Sequence, residues 1–333
     1  MTFLPLGLLG GSLLFGPIVD RFGHKALLLL SCLVVLLGLE GIAFFTSIPL
    51  LQVSIIGIGL GGGILNGETN ALVADISNEA EKGSRLSLLG AFYGIGALGI
   101  PVLLSFLSEY YSFEIILQGT GMVMLIGILF CLGIRFPAPK QPQGFPIKEG
   151  LGLLKESSLL LLSFILFFQS GIEGVCNNWT TLYLGQTTGI PENRALIALT
   201  CMVAGLTVAR LLLVVLFKKI KQETVLRTSL ITAVAGFALL TFAPGFARAA
   251  IGMALIGAGL ASTFPVILSI IGSRYASLSG TAFSVALVIA LIGQTLLNSL
   301  TGIISQGYGI VVYPYMMIVS LLIMLLLFKR SLK

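Results

Sequence analysis

Charge is what this sequence has least of. Asp, Glu, Lys and Arg together make up 10% of the 333 residues, and none of the first nineteen side chains carries one. Soluble domains average about 25%. Hydrophobic residues here reach 56%, more than the interior of a soluble fold can hide, so the composition defines a membrane protein. Cysteine, histidine and tryptophan are also rare, at four, one and one. Cys32, Cys131, Cys176 and Cys201 lie inside apolar stretches with no CxxC spacing. That argues against a disulfide framework or a metal site, and they read as small membrane-buried hydrophobes. HExxH, paired-aspartate motifs, G-x-S-x-G and a Walker loop are all missing. Without them the usual means of intramembrane hydrolysis and nucleotide chemistry are absent. The chain reads as a non-enzyme with no metal and no cofactor.

What is present is apolar length. A helix that spans a bilayer needs about 20 apolar residues. Eleven such segments follow one another: 2–19, 26–46, 49–76, 83–108, 113–135, 157–184, 193–217, 222–243, 246–274, 278–304 and 308–329. The runs are continuous rather than alternating, which makes them helices and not the strands of a β-barrel. The first has no basic n-region and no A-x-A site, and a second span follows within a few residues, so it is not a signal peptide.

Lysine and arginine are unevenly placed. The loops and ends on one side hold sixteen of the nineteen: Arg21, Lys25, Lys82, Arg85, Arg135, Lys140, Lys148, Lys155, Lys218, Lys219, Lys221, Arg227, Arg274, Lys329, Arg330 and Lys333. The other side holds Arg194 and Arg248, and Arg210 falls within a span. By the positive-inside rule the sixteen face the cytoplasm, as does the C-terminus, and the N-terminus as given lies outside. The net charge of +6 is thus a topological signal and makes no case for nucleic acid. The stretch "RFPAPKQPQGFPIKEG" (135–150), with four prolines, reads as a linker. The expected architecture is all-α and polytopic. A bundle over 1–135 with five spans precedes a cytoplasmic linker over 136–156 and a six-helix bundle over 157–333. Basic clusters recur after the first span and after the seventh, which is the second helix of its half. If the halves are repeats, a helix is missing from the N-terminus.

The first charged cluster is "GPIVDRFGHK" (16–25), with Asp20, Arg21, His24 and Lys25 within six positions. On residue chemistry alone it is either a positive-inside anchor on a glycine turn or a working contact. The stretch resembles the G-x-x-x-D-R-x-G-R-K loop of the major facilitator superfamily. Gly16, Asp20, Arg21, Gly23 and Lys25 match, and His24 stands where Arg is usual. Nearly the whole chain is similar to a narrower group, the fucose permease-like sugar/proton symporters. The stretches that carry this are "GGGILNGETNALVADI" (61–76), "RLSLLGAFYGIGALGIPVL" (85–103), "GIEGVCNNWTTLYL" (171–184) and "GTAFSVALVIALIGQ" (280–294). The resemblance implies a major facilitator fold entered at the family's second helix. It also implies a cytoplasmic gate built from Gly16, Asp20, Arg21, Gly23, Lys25 and Asp75. Asp20 would cap the helix that starts at Ser279, and Lys25 or Arg21 would pair with Asp75, latching the outward-facing state. A carboxylate at a helix N-terminus contributes about 0.3–1 kcal/mol when exposed and more when partly buried.

Polar side chains inside hydrocarbon are costly and face a cavity or a partner. Gln169, Glu173 and Asn177 stand four apart on one span, followed by Asn178 and Trp179. Asn66 and Asn70, with Gly59 and Gly63 on the same stripe, and Gln294 and Asn298 repeat the spacing on two others. Residues four apart share a helical face. Amides beside an aromatic ring suit a neutral polyol, so these nine polar and aromatic residues are the expected substrate site. The competing reading is that such amides tie helices together. Glu173, a carboxylate at mid-span, is the candidate proton carrier. Glu68, about 200° around its helix from Asn66 and on the face of Asp75, reads as structural or as part of the cytoplasmic charge network rather than as a sugar ligand. Glu40 is expected to snorkel. Gly90, Gly94, Ala97 and Pro101 form a small-residue stripe for close helix approach. In the symporters that this chain resembles, the position of Asn66 carries a titrating carboxylate, and asparagine cannot titrate.

These readings converge on a secondary carrier of a small polar, sugar-like solute. It would work by alternating access around a midplane site, as a multi-pass monomer in the lipid bilayer of the cell (inner) membrane, with a proton as the candidate coupling ion. The alternative is an N-terminally truncated, transport-inactive or receptor-like protein.

Overall fold

The structure, a computed structural model, describes residues 3–144, 146–242 and 245–331. Lys333, one of the sixteen basic residues above, lies outside them. Among the described residues the chain forms thirteen α-helices. They are α1 (Phe3–Phe22), α2 (His24–Phe44), α3 (Ile48–Ile76), α4 (Lys82–Leu107), α5 (Phe113–Gly133), α6 (Ile147–Leu153), α7 (Ser157–Thr188), α8 (Glu192–Leu216), α9 (Gln222–Phe242), α10 (Phe246–Leu260), α11 (Thr263–Arg274), α12 (Ser279–Tyr308) and α13 (Tyr313–Ser331). Helix is what hydrocarbon demands, because every backbone N–H and C=O must be paired within the segment. Eleven stretches are long and apolar enough to cross a membrane, α10 and α11 counting as one from Phe246 to Arg274. Each coincides with one of the eleven apolar segments. Helix α6 is a short addition inside the proline-rich linker.

The helices group into two compact units whose borders differ from the expected break at the linker. The first comprises 1–76, 99–156 and 271–288; the second comprises 77–98, 157–270 and 289–333. The borders therefore cut α4 after Leu98 and α12 after Val288.

In the first unit α3 packs on α1 and α2, and α5 packs on α2. Small residues set the spacing, as is usual where lipid offers no hydrophobic contrast. Gly7 and Gly11 of α1 face the α3 backbone, and Gly59 and Gly63 of α3 face the backbone of α1. These two α3 glycines thus serve helix packing, a correction to their placement on a polar face with Asn66.

In the second unit α10 packs between α8 and α9, and α13 packs on α7 and α9. Its core centres on Tyr313, which is fully buried. The Tyr313 ring lies 5.3 Å from that of Tyr183 and 6.0 Å from that of Phe237. Its hydroxyl is 3.0 Å from Thr180 Oγ1 and donates to Cys176 Sγ at 3.3 Å. A buried tyrosine needs such partners for its O–H.

Candidate functional site

The first unit carries a charged junction at the ends of α1 and α3 and the start of α12. Asp20 sits in the last turn of α1, only 2% exposed. Its Oδ1 accepts the backbone N–H of Gly280 at 3.1 Å. Its Oδ2 accepts the N–H of Thr281 at 2.9 Å and the Thr281 hydroxyl at 2.6 Å. The first N–H groups of a helix have no intrahelical acceptor. A carboxylate from another helix therefore satisfies two of them and meets the positive end of the α12 dipole. Gly16, one turn earlier, makes the approach possible, since a Cβ there would lie 2.5 Å from the Gly280 carbonyl oxygen. Ser284 adds a further tie, donating its hydroxyl to the carbonyls of Ser12 and Leu13. Gly23 follows with φ of +83°, a conformation that glycine adopts without strain, and the chain turns there against Pro139.

Asp75 joins the same junction through partners other than those expected. Its Oδ2 lies 3.0 Å from His24 Nε2, and its Oδ1 accepts Lys140 Nζ at 2.7 Å and the Ser279 hydroxyl at 2.9 Å. Lys140, in the proline-rich linker, also donates to Ser279 Oγ. Gln141 beside it donates its backbone N–H to Asp20 O at 2.9 Å and its side-chain amide to Ser277 O at 3.3 Å. The linker is thus strapped across the junction. Lys25 points elsewhere and donates to the Leu132 and Ile134 carbonyls at the end of α5, at 2.8 and 3.1 Å. A cation suits that helix C-terminus. Arg21 is exposed and stacks over the Phe22 ring. The pairing of Asp75 with Lys25 or Arg21 is therefore corrected to His24 and Lys140. His24 has a second partner: its Nδ1 lies 3.1 Å from Oε1 of Glu68, which is fully buried. Glu68 is thus part of the charge network at this end of the helices.

The second unit carries the amide-rich surface. Asn178, Trp179, Leu182, Asn298, Ser299 and Gly302 line an open cavity of about 450 Å³ between α7 and α12. Asn298 organises it. Its Oδ1 accepts Asn178 Nδ2 at 2.9 Å and Trp179 Nε1 at 3.2 Å, and its own Nδ2 donates to Gln294 O at 2.7 Å. The indole rests against Gly302. The face of α7 that meets these amides runs through Gly171, Gly174 and Asn178. A Cβ on Gly174 would meet Gln294 and Asn298, and one on Gly171 would meet Leu297.

The expected stripe of Gln169, Glu173 and Asn177 does not hold together on this face. Gln169 is fully buried and donates to the Leu260 carbonyl at 3.1 Å, a helix tie and not a cavity lining. Asn177 is exposed and donates to the Glu173 carbonyl of its own helix. Residues four apart advance by 400°, so each step drifts about 40° around the helix, and two steps leave the face. On α3 of the first unit, Asn66 is exposed and its carbonyl accepts Asn70 Nδ2 at 2.7 Å.

Glu173 lies halfway along α7, half-buried, and interacts electrostatically with Tyr93 of α4 and Arg210 of α8. Arg210 is buried and donates to Gly90 O at 3.0 Å, and Ser87 returns a bond from its hydroxyl to Arg210 O at 2.8 Å. Gly94 faces Thr207 one turn on. Gly90 and Gly94 thus bring α4 onto α8, whereas Ala97 and Pro101 of the same stripe are exposed.

The many-helix fold, the Asp20 cap on α12 and the strapped junction define a carrier of the major facilitator type. The chain belongs to that family: the model described as Major Facilitator Superfamily matches residues 1–293. It is a multi-span membrane protein of a transporter family and not an enzyme. The uncharacterized MFS-type transporter YfkL of Bacillus subtilis (strain 168) is 23% identical over 306 residues, covering 89% of this chain and 76% of that protein. The glucose/mannose transporter GlcP of the same organism is 24% identical over 330 residues, covering 90% and 79%. In fold the chain is similar to the E. coli fucose:proton symporter FucP, with a TM-score of 0.80 at 19% identity over 99% of this chain and 91% of that one. It is similar too to the proton:xylose symporter XylE, at 0.77 and 14% over 97% and 84%.

Proposed function

We propose that this protein carries a small neutral polyhydroxylated solute, a sugar, by alternating access, and that Glu173 couples the movement to a proton. The observation that carries the reading is the cavity of Asn178, Trp179 and Asn298, in which one amide aligns a second amide and an indole N–H. Amides supply donors and acceptors without charge, and an aromatic face beside them suits the C–H face of a pyranose. The names of GlcP, FucP and XylE, a glucose/mannose transporter and two sugar:proton symporters, support the same class. In this reading the junction at Asp20 is the cytoplasmic gate of the carrier. Asn66 and Asn70 are kept as candidate substrate residues on α3, to be tested singly.

Trp179 is the chain's one tryptophan, so its emission reports on this cavity alone. Titrating the purified chain with hexoses and pentoses is expected to change the emission saturably. Asn298→Ala is expected to weaken the apparent affinity about tenfold, the size of one or two lost hydrogen bonds. Emission that ignores sugars but responds to organic anions or cations would overturn the sugar assignment.

A further inference from the structure

We propose that His24, Glu68 and Asp75 form a proton-binding site that holds the junction at Asp20 closed, separate from the proposed substrate site and independent of what the carrier transports. Both ring nitrogens of His24 face carboxylate oxygens, at 3.1 Å to Glu68 and 3.0 Å to Asp75. A neutral imidazole has only one N–H to donate. Both contacts are therefore hydrogen bonds only when the triad carries an extra proton, on the second ring nitrogen or on a carboxyl. The second observation is Glu68 itself: it is fully buried, and its Oε2 has no hydrogen-bond partner among the described residues.

The charges around the triad leave His24 as the group that balances Glu68. From α3 come Glu68 and Asp75. From the linker comes Lys140, which is committed to Asp75 and Ser279 and also acts on Asp20 of α1. On α2, Lys25 is bound to α5 carbonyls. Cys32 of α2 interacts with Glu68 and with Cys131 of α5. From α12 the Ser279 hydroxyl reaches Asp75. Without the extra proton, Glu68 is an uncompensated carboxylate in a dry site, which is strongly unfavourable. The relief is to let water in, and that means parting α12 from the ends of α1 and α3. Asp75 transmits the change, because it holds His24 on one oxygen and Ser279 and Lys140 on the other. Proton loss opens the junction and proton binding closes it.

The test places spin labels at two exposed positions flanking the junction, Phe22→Cys on α1 and Ser277→Cys before α12, in the full chain with its native cysteines replaced. Distances are measured by pulsed electron resonance from about pH 5 to about pH 10, which spans the change of charge of an imidazole whether free or paired with carboxylates. In the wild-type background a longer distance is expected to grow as pH rises, its ratio to the short one changing by up to about tenfold per pH unit, the slope of one-proton linkage. Two variants are expected to stay short throughout, for opposite reasons. His24→Arg fixes the positive charge with the residue usual at this position in the loop motif. Glu68→Gln removes the buried anion while keeping its shape. A wild-type distribution that ignores pH, or either variant tracking the wild type, overturns the proposal. A readout that needs no variant stands beside these. His24 is the chain's one histidine, so isotope-labelled histidine in protein purified without a histidine tag gives a single imidazole to follow by NMR. Its titration is expected to coincide with the opening, and an imidazole that titrates while the distances stay constant overturns the proposal equally. Neither readout involves sugar binding or uptake, so failure here and failure of the carrier assignment are separable.

Discussion

Asp20 receives three hydrogen bonds from two consecutive residues of α12, and two of those donors have no other acceptor in their helix. Asp20→Ala is expected to weaken the closed junction by about 1–2 kcal/mol, a cap and a helix-dipole contact together. That moves the population about 5–30-fold toward the open form. Labels at Phe22→Cys and Ser277→Cys would show it as a longer distance at every pH; an unchanged distribution would mean that Ser284 and Lys140 suffice. How legible such contacts are in a sequence depends on what they require. The cap was legible through resemblance: the loop motif implies that Asp20 caps the helix of the apolar run that begins near Ser279. The partners of Asp75 were not. His24 and Lys25 are neighbours but stand about 100° apart on a helix, so one faces α3 and the other α5. Which does which follows from the rotation of α2 against its neighbours, and α2 is apolar nearly all round. Lys140 was further out of reach, since no periodicity describes the path of a proline-rich linker.

Among the helices, existence was easier to read than rotation. All eleven spans follow from hydrophobic run length, which the bilayer enforces. The spacing of Gln169, Glu173 and Asn177 also marks one side of α7, yet the structure gives Gln169 to α10 and Asn178 to α12. A two-step stripe is wide enough to touch two neighbours, and an amide serves equally as a helix tie or as a ligand. The two roles separate by experiment. Gln169→Leu removes one buried donor, and its Oε1 already lacks a partner among the described residues. The expected result is a stability loss of about 1 kcal/mol, read as a lower melting midpoint in detergent, with sugar-dependent emission of Trp179 unchanged. Loss of the emission response at normal stability would return Gln169 to the substrate site. The glycine contacts of α4 behave differently. Gly94→Val drives a branched side chain into Thr207, and overpacking of this kind costs about 1–3 kcal/mol. The melting midpoint should fall accordingly, while Ala97→Val, on an exposed position of the same helix, should leave it unchanged.

At the scale of the whole carrier, the two acidic sites are expected to answer different questions. Glu68 and Asp75 are expected to govern whether one end of the helices stays shut. Glu173 stands halfway along α7, with Tyr93 and Arg210 acting on it and no ion pair within 4 Å among the described residues. A carboxylate inside a span is costly and faces a cavity or a partner, which makes Glu173 the residue to test for proton coupling. Each pH unit across the membrane represents about 1.4 kcal/mol per proton. A carrier that moves one proton with each neutral solute therefore accumulates that solute up to about tenfold per unit. Glu173→Gln keeps the shape and the hydrogen bonding of the side chain but cannot carry the proton. In vesicles bearing a pH gradient, the wild type should concentrate sugar, and the Gln variant should only equilibrate it to an inside-to-outside ratio of about one. Exchange of labelled for unlabelled sugar, which needs no net proton movement, should persist in the variant. Accumulation by Glu173→Gln equal to that of the wild type would move the coupling away from α7. The His24 triad would then be the next site to test, by the same assay on Glu68→Gln.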